Sequence, residues 1–177
     1  LSVGTLNKSH KRMDYLIQEV ASLPEPRPYL VMLGQTDGES EEVVRLAKQY
    51  LGTANFLIKT VSSTEVGYYY RAADAFVLAS VREGLPRVSL EAMSHGLPCL
   101  AHDYEVTRFV LGSDAFLDDF QIPGRLAALI PQALLDSQDS ERRCQRYYSV
   151  SKRFSWEKLI PKYVEMIHVT ANNGICF

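Results

Sequence analysis

Short runs of consecutive apolar residues alternate along this chain with longer stretches whose apolar positions recur every three or four residues. The first pattern predicts strands buried on both faces, and the second predicts amphipathic helices. Strands are expected at residues 1–6, 29–34, 55–61, 74–79 and 99–102, with a weaker sixth at 115–118. A first helix carries Met13, Leu16, Ile17 and Val20 on one face, with Ser9 as its cap and Pro24, Pro26 and Pro28 closing it. A second, over residues 37–51, buries Val43, Val44, Leu46 and Ala47 and gathers Glu39, Glu41 and Glu42 at its positive end. Ser62 or Ser63 caps a short third helix through Tyr68, Tyr69, Tyr70 and Ala73, and a fourth opens with Pro86. After Pro123 the pattern is wholly helical, over residues 125–135, 141–153 and 156–169, and the last eight residues show no period.

Strands alternating with helices predict an α/β fold: a doubly wound, six-stranded parallel Rossmann-like sheet with extra C-terminal helices. In the common strand order 3-2-1-4-5-6, strands one and four meet at the switch point, and ligands bind beyond their carboxyl ends. The loops there are residues 7–12 and 80–85. Topology therefore selects a site before any motif is consulted.

Composition narrows the function classes. A length of 177 residues suits one domain, read here as residues 1–169 with a tail at 170–177. The net charge of −2 argues against general nucleic-acid binding, and no apolar run is long enough to span a bilayer. Cys99, Cys144 and Cys176 lack metal-ligand spacing and read as reduced thiols of a cytosolic protein. P-loop, dinucleotide-fingerprint and nucleophile-elbow motifs are absent. The chain opens inside a strand pattern, so it is expected to be part of a longer protein.

The two loops carry the chemistry. Pro86 suits the first helical position, which makes Leu85 the cap, and leucine cannot accept a hydrogen bond. The amides of Arg87, Val88 and Ser89 then form an anion site or are solvated by water. Opposite them, Lys8, His10, Lys11 and Arg12 sit at a helix start, where cations oppose the dipole unless an anion binds or the patch is simply solvated. Helical geometry turns Leu85, Val88, Ala92, Met93 and Gly96 towards the core and leaves Glu91 outside, within reach of Arg87 and His95. Spacing alone makes Glu83 and Glu91 a weak pair. His102 and Asp103, ending strand five, could reach the crevice, while Tyr68–Tyr70 and Tyr147–Tyr148 read as packing aromatics.

Glu83-Gly84-Leu85-Pro86, Glu91-Ala92-Met93 and Gly96-Leu97-Pro98 together match the pattern E-G-[FL]-[GP]-x-x-x-x-E-A-M-x-x-G-x-P. Three further segments agree in order. These are Val3-Gly4-Thr5-Leu6 with Lys11-Arg12-Met13-Asp14-Tyr15-Leu16-Ile17, Tyr70-Arg71-Ala72-Ala73-Asp74-Ala75-Phe76-Val77-Leu78-Ala79-Ser80, and Phe154-Ser155-Trp156-Glu157-Lys158. In these segments the chain resembles the C-terminal half of retaining glycosyltransferases of the GT-B fold, the glycosyl transferases group 1 family.

The resemblance implies a domain that binds a nucleotide-diphosphate sugar for retaining transfer, without a metal or other cofactor. It places Lys11 on the diphosphate and Glu83 on the transferred sugar as the catalytic pair, with Glu91 on the ribose. Gly84, Leu85, Pro86, Arg87 and Val88 would meet the phosphates, and Val61 the base. It further implies a glycan, lipid or small-molecule acceptor held by an N-terminal domain absent from this chain. The parent would be cytoplasmic, with peripheral association at the inner face of a membrane. Three positions depart from the family. Thr5 stands where an arginine is common, with Arg12 in a usual glycine position as the candidate replacement. Pro86 removes one amide, and Asp103–Arg108 lacks the G-G-x-x-E form. A non-catalytic nucleotide-sugar-binding or interaction module on the same fold is the alternative, favoured by Thr5. A nucleotide-sugar epimerase or a phosphorylase is a third reading.

Overall fold

In a computed structural model that describes residues 1–172, six parallel strands form two three-stranded sheets set edge to edge. The elements run β1 (Ser2–Val3), α1 (Met13–Ala21), β2 (Leu30–Leu33), α2 (Ser40–Leu51), β3 (Phe56–Lys59), α3 (Ser63–Ala72) and β4 (Phe76–Leu78). They continue with α4 (Arg87–Ser94), β5 (Cys99–His102), α5 (Glu105–Leu111), β6 (Phe116–Asp118), α6 (Arg125–Asp136), α7 (Ser140–Phe154) and α8 (Trp156–Asn172). Sheet one has the order β1-β2-β3 and sheet two β4-β5-β6. Between them, the Val77 amide donates to Leu1 O at 2.8 Å, so β1 and β4 are neighbours. This is the order 3-2-1-4-5-6, joined at its centre through Leu1, whose carbonyl accepts the Val77 amide and whose nitrogen donates to Ala75 O at 2.9 Å.

Both faces of the sheets are covered, which is why the strands read as unbroken apolar runs. Val77 and Leu100 face one core with α1, α2 and α6, whereas Phe76, Leu78, Cys99 and Ala101 face another with Tyr70, Ala92, Met93 and Val110. Successive strand residues thus feed opposite cores, as the two-residue side-chain period requires. Each fully buried leucine or phenylalanine contributes about 1.5–3 kcal/mol.

Several boundaries differ from those expected. β1 is regular only over Ser2–Val3, yet Gly4 N–Leu33 O and Leu6 N–Gln35 O, both 2.9 Å, carry the pairing on through the turn. Ser9 does not cap α1. The cap position is Arg12 in the left-handed conformation (φ 51°), without a side-chain cap, and Asn7 does that work instead. Its carbonyl accepts the Met13 amide at 3.0 Å, and its Oδ1 accepts the amides of His10 and Lys11 at 3.3 and 2.8 Å. α5 lies where no helix was expected. It is seven residues long, too short to show its period, and the buried trio Thr107, Val110 and Leu111 marks its inner face. α8 runs three residues beyond the expected end at 169, and residues 173–177, with Cys176 and the rest of the expected tail, lie outside the described residues. Among Tyr68–Tyr70 only Tyr70 is buried. Tyr68, Tyr147 and Tyr148 are exposed, so most of the expected packing aromatics face solvent. No helix among the described residues is long and apolar enough to cross a membrane.

Candidate functional site

At the carboxyl end of β1 the backbones of β1 and β2 approach so closely that a Cβ on Gly34 would lie 1.7 Å from Gly4 O. Gly4 itself makes room for a side chain. A Cβ there would meet Lys11 Cδ at 3.0 Å, so the bare glycine lets the lysine stem cross the strand end. The ammonium emerges at the loop after β4, where Lys11 Nζ lies 2.5 Å from Glu83 Oε1. Ser80 Oγ donates to the same oxygen at 2.6 Å, and His10 Nε2 stands 3.9 Å from it. Oε1 thus takes every protein contact of this carboxylate among the described residues, and Oε2 keeps its capacity for a ligand. With side chains only 16% and 11% exposed, Lys11 and Glu83 are largely shielded from bulk water, where a charge-assisted bond is stronger than at an open surface.

An open cleft of about 490 Å³ lies beside this pair, lined by His10, Arg82, Glu83, Gly84 and Tyr104. Tyr104 follows β5. Its hydroxyl accepts the Glu83 amide at 2.7 Å and donates to Glu83 O at 2.8 Å. Burial pushes its hydroxyl pKa up, which keeps the donating proton in place. His102 and Asp103, expected near the crevice, are engaged elsewhere. Buried His102 accepts the Phe120 amide on Nδ1 at 3.1 Å, and Asp103 holds Arg108 through two bonds of 2.6 and 2.8 Å. The position that matters is one residue further on, and only the strand-five boundary hinted at it.

The α4 start is uncapped by any side chain, as expected, but its geometry differs. Pro86 is the cap itself (φ −77°, ψ 71°) and the helix begins at Arg87. Leu85 is 53% exposed instead of facing the core, and Ser89 takes the buried place. Two of the three amides expected to be free have backbone acceptors: Arg87 N on Leu85 O at 2.8 Å and Ser89 N on Pro86 O at 3.0 Å. Among the described residues the Val88 amide and those of Gly84 and Leu85 have no protein acceptor. They are the groups a phosphate could take at the positive end of α4.

The other expected residues divide. Arg12 is not turned to the cleft: Nη1 donates to Phe120 O at 2.8 Å and the guanidinium lies 4.3 Å above the Tyr15 ring. Lys8 stands 3.8 Å from Glu42. The Lys8 and Ser9 amides are bound by Glu39 Oε2 at 2.6 and 2.9 Å, so much of the basic loop is neutralised by the start of α2. Thr5 is partly buried in the turn after β1. Val61 is partly buried beyond β3, next to Thr60, whose hydroxyl bonds Gly34 O at 2.7 Å. Glu91 is exposed on α4, where its Oε2 accepts from Tyr70 at 3.1 Å. His95 reaches the Glu91 carbonyl, not its carboxylate. The structure therefore brings His10, Lys11, Glu83, Gly84 and the α4 start together, adds Ser80 and Tyr104, and leaves Arg12 outside.

The sequence profile of the glycosyl transferases group 1 family matches residues 1–149. Over 163 residues the chain is 29% identical to the O-antigen chain mannosyltransferase B of Escherichia coli, covering 89% of this chain and 42% of that protein. Sucrose-phosphate synthase from Thermosynechococcus elongatus is similar in structure, with a TM-score of 0.84 at 20% identity over 98% of this chain and 46% of that one. HepE from Anabaena, solved in complex with UDP, gives a TM-score of 0.80 at 20% identity over 95% of this chain and 48% of its own. These likenesses identify the fold as that of GT-B glycosyltransferases. The chain spans less than half the length of each of these three proteins. With the profile running from β1 into α7, the chain belongs to the glycosyl transferases group 1 family.

Proposed function

We propose that this chain is the donor-binding part of a retaining glycosyltransferase that transfers a hexose from a nucleotide-diphosphate sugar. The observation that carries the proposal is the Lys11–Glu83 pair at the switch point, with Glu83 Oε2 unengaged and the free amides of Gly84, Leu85 and Val88 beside it. A diphosphate has two negative groups to place. Lys11 takes one and the α4 amides the other, and the developing charge on the leaving diphosphate is met by groups already oriented. Glu83 then accepts hydroxyls of the sugar, and Glu91 those of the ribose. This arrangement uses side-chain cations and amides for the work a divalent metal would do. The acceptor, a glycan, a lipid or a small molecule, belongs to the remainder of the longer protein, which acts in the cytoplasm and at its membrane face. UDP in the HepE complex supports a nucleoside diphosphate as the ligand class.

Calorimetric titration of the chain with UDP, GDP and ADP and their glucose or mannose derivatives tests this reading. Binding of one series, weakened at least tenfold by Lys11→Ala, is expected. No binding to any of them refutes it. In the full-length parent, Lys11→Ala should lower kcat about 10²–10³-fold, the usual effect of removing one preorganised donor.

One observation favours a second reading, a non-catalytic nucleotide-sugar-binding module. Thr5 is uncharged and Arg12 is committed to Phe120 O, so Lys11 stands without the second cation common in the family. Turnover by the parent that Glu83→Gln abolishes would exclude that module. Binding without turnover across the same sugar nucleotides would establish it.

A further inference from the structure

The loop between β4 and α4 has little to hold it. Gly84 is exposed, and a Cβ built there meets nothing within 4 Å. Glu83 is nevertheless fixed at both ends. Its carboxylate is held by Lys11 and Ser80, and both polar groups of its backbone are held by one hydroxyl, that of Tyr104. Tyr104 is fixed in turn. Its amide donates to Thr107 Oγ1 at 3.2 Å, and its ring stacks on His102 with centroids 5.9 Å apart and planes 25° apart. His102 is pinned by the Phe120 amide. A line of contacts thus runs from the end of β6 through His102 and Tyr104 to the Glu83 peptide.

We propose that Tyr104 is the positioning residue of this site. Its hydroxyl fixes the Glu83 peptide, and its ring walls the end of the cleft where the sugar of the donor meets the Glu83 carboxylate. The inference rests on the donor-binding reading above and adds a residue to it. The family's glycine-rich segment is missing at this place, and Tyr104 supplies by a side chain the order that the short, open loop lacks. Lys11 and the Val88 amide inside α4 are anchored independently of the hydroxyl, whereas the Gly84 amide belongs to the peptide it fixes, so its loss acts most on the sugar end of the ligand and less on the diphosphate end.

Tyr104→Phe removes both hydrogen bonds and keeps the ring on His102. Two measurements on the intact chain separate the clamp from the ligand. In the ligand-free protein, amide hydrogen exchange followed by NMR should show Glu83 protected, and about tenfold faster exchange in Tyr104→Phe, with the β5 and α5 amides unchanged. Equal Glu83 exchange in the two proteins overturns the clamp, whatever they bind. Calorimetry with UDP, UDP-glucose, GDP and GDP-mannose should show the bound sugar nucleotide weakened about tenfold in Tyr104→Phe and its parent nucleotide by no more than about threefold. Equal losses for both overturn the placement at the sugar end. If the wild-type chain binds none of the four while Glu83 loses protection in Tyr104→Phe, the donor reading and the sugar role fall and the clamp stands.

Discussion

Glu19 presents the most quantitative consequence of this fold. It lies on α1, is 5% exposed, and points its carboxylate at the start of α6, where Oε1 accepts the Gly124 amide at 2.7 Å and Oε2 the Ala127 amide at 2.8 Å. Gly124 has φ 86° and provides no side-chain cap, so a residue 105 positions earlier in the chain closes that helix. Replacing Glu19 with Gln keeps one carbonyl oxygen and turns an amide N–H₂ towards the other backbone N–H. One charge-assisted bond is lost and one buried donor is orphaned, each a loss of about 1.5–3 kcal/mol, partly the same energy counted from two sides. The helix-dipole contribution of the charge adds up to about 2 kcal/mol in partly buried geometry, and relief of carboxylate desolvation offsets a similar amount. A net destabilisation of about 2–3 kcal/mol results, near 4–12 °C in Tm for a domain of this size. Urea unfolding at pH 7, followed by circular dichroism with shared m-values, measures it. A loss below about 0.5 kcal/mol would refute the cap, since a surface glutamine substitution would do no more.

Three further outcomes follow from named groups. Burial pushes the Cys99 thiol up to about 12, so iodoacetamide at pH 8 should alkylate exposed Cys144 and leave Cys99 intact in the folded chain, as peptide mass mapping will show. The Ser9 and Lys8 amides hold the Glu39 carboxyl below its ordinary value of 4.5, so the order it gives residues 7–12 is full above that value and is lost as pH falls through the depressed one. Measured against the intrinsic rate at each pH, the Lys8 and Ser9 amides should therefore be protected at neutral pH and lose that protection in acid, and in Glu39→Ala they should be unprotected throughout. Sugar transfer by the full-length parent should be unchanged by EDTA, and its loss on metal removal would contradict the role given to Lys11 and the α4 amides.

How much of this was legible in the chain depends on how far apart the interacting residues are. Strand faces and most helices follow from local periodicity, because each strand residue reports its own burial and each helix turn repeats the signal. The switch point followed from the common strand order and led to the loops at residues 7–12 and 80–85, and the family resemblance singled out Lys11 and Glu83 within them. The α4 start was misplaced by one residue because proline is compatible with both the cap and the first helical position. That single step moved Leu85 from the core to the surface and gave backbone acceptors to two expected free amides. Ser9 failed as a cap for a related reason: the turn after β1 closes on Asn7, whose side chain binds two amides at once.

The residues that pattern could not reveal act across long separations. Glu19 caps a helix more than a hundred residues away, and Tyr104 binds a peptide 21 residues earlier. Neither leaves a local trace, since a glutamate inside an amphipathic helix and a tyrosine after a strand are both ordinary. Arg12 shows the reverse error. As a cation in the right loop it looked like a phosphate ligand, yet its left-handed backbone aims it at Phe120 O. The direction of a side chain is set by the dihedrals of its own residue, and sequence spacing does not contain them. Lys11, one residue earlier, escapes the same fate because Gly4 leaves its stem a path to Glu83. The cation that serves this site is therefore selected by a glycine seven positions before it, and Gly4→Ala should weaken nucleotide binding without touching any ligand-facing charge.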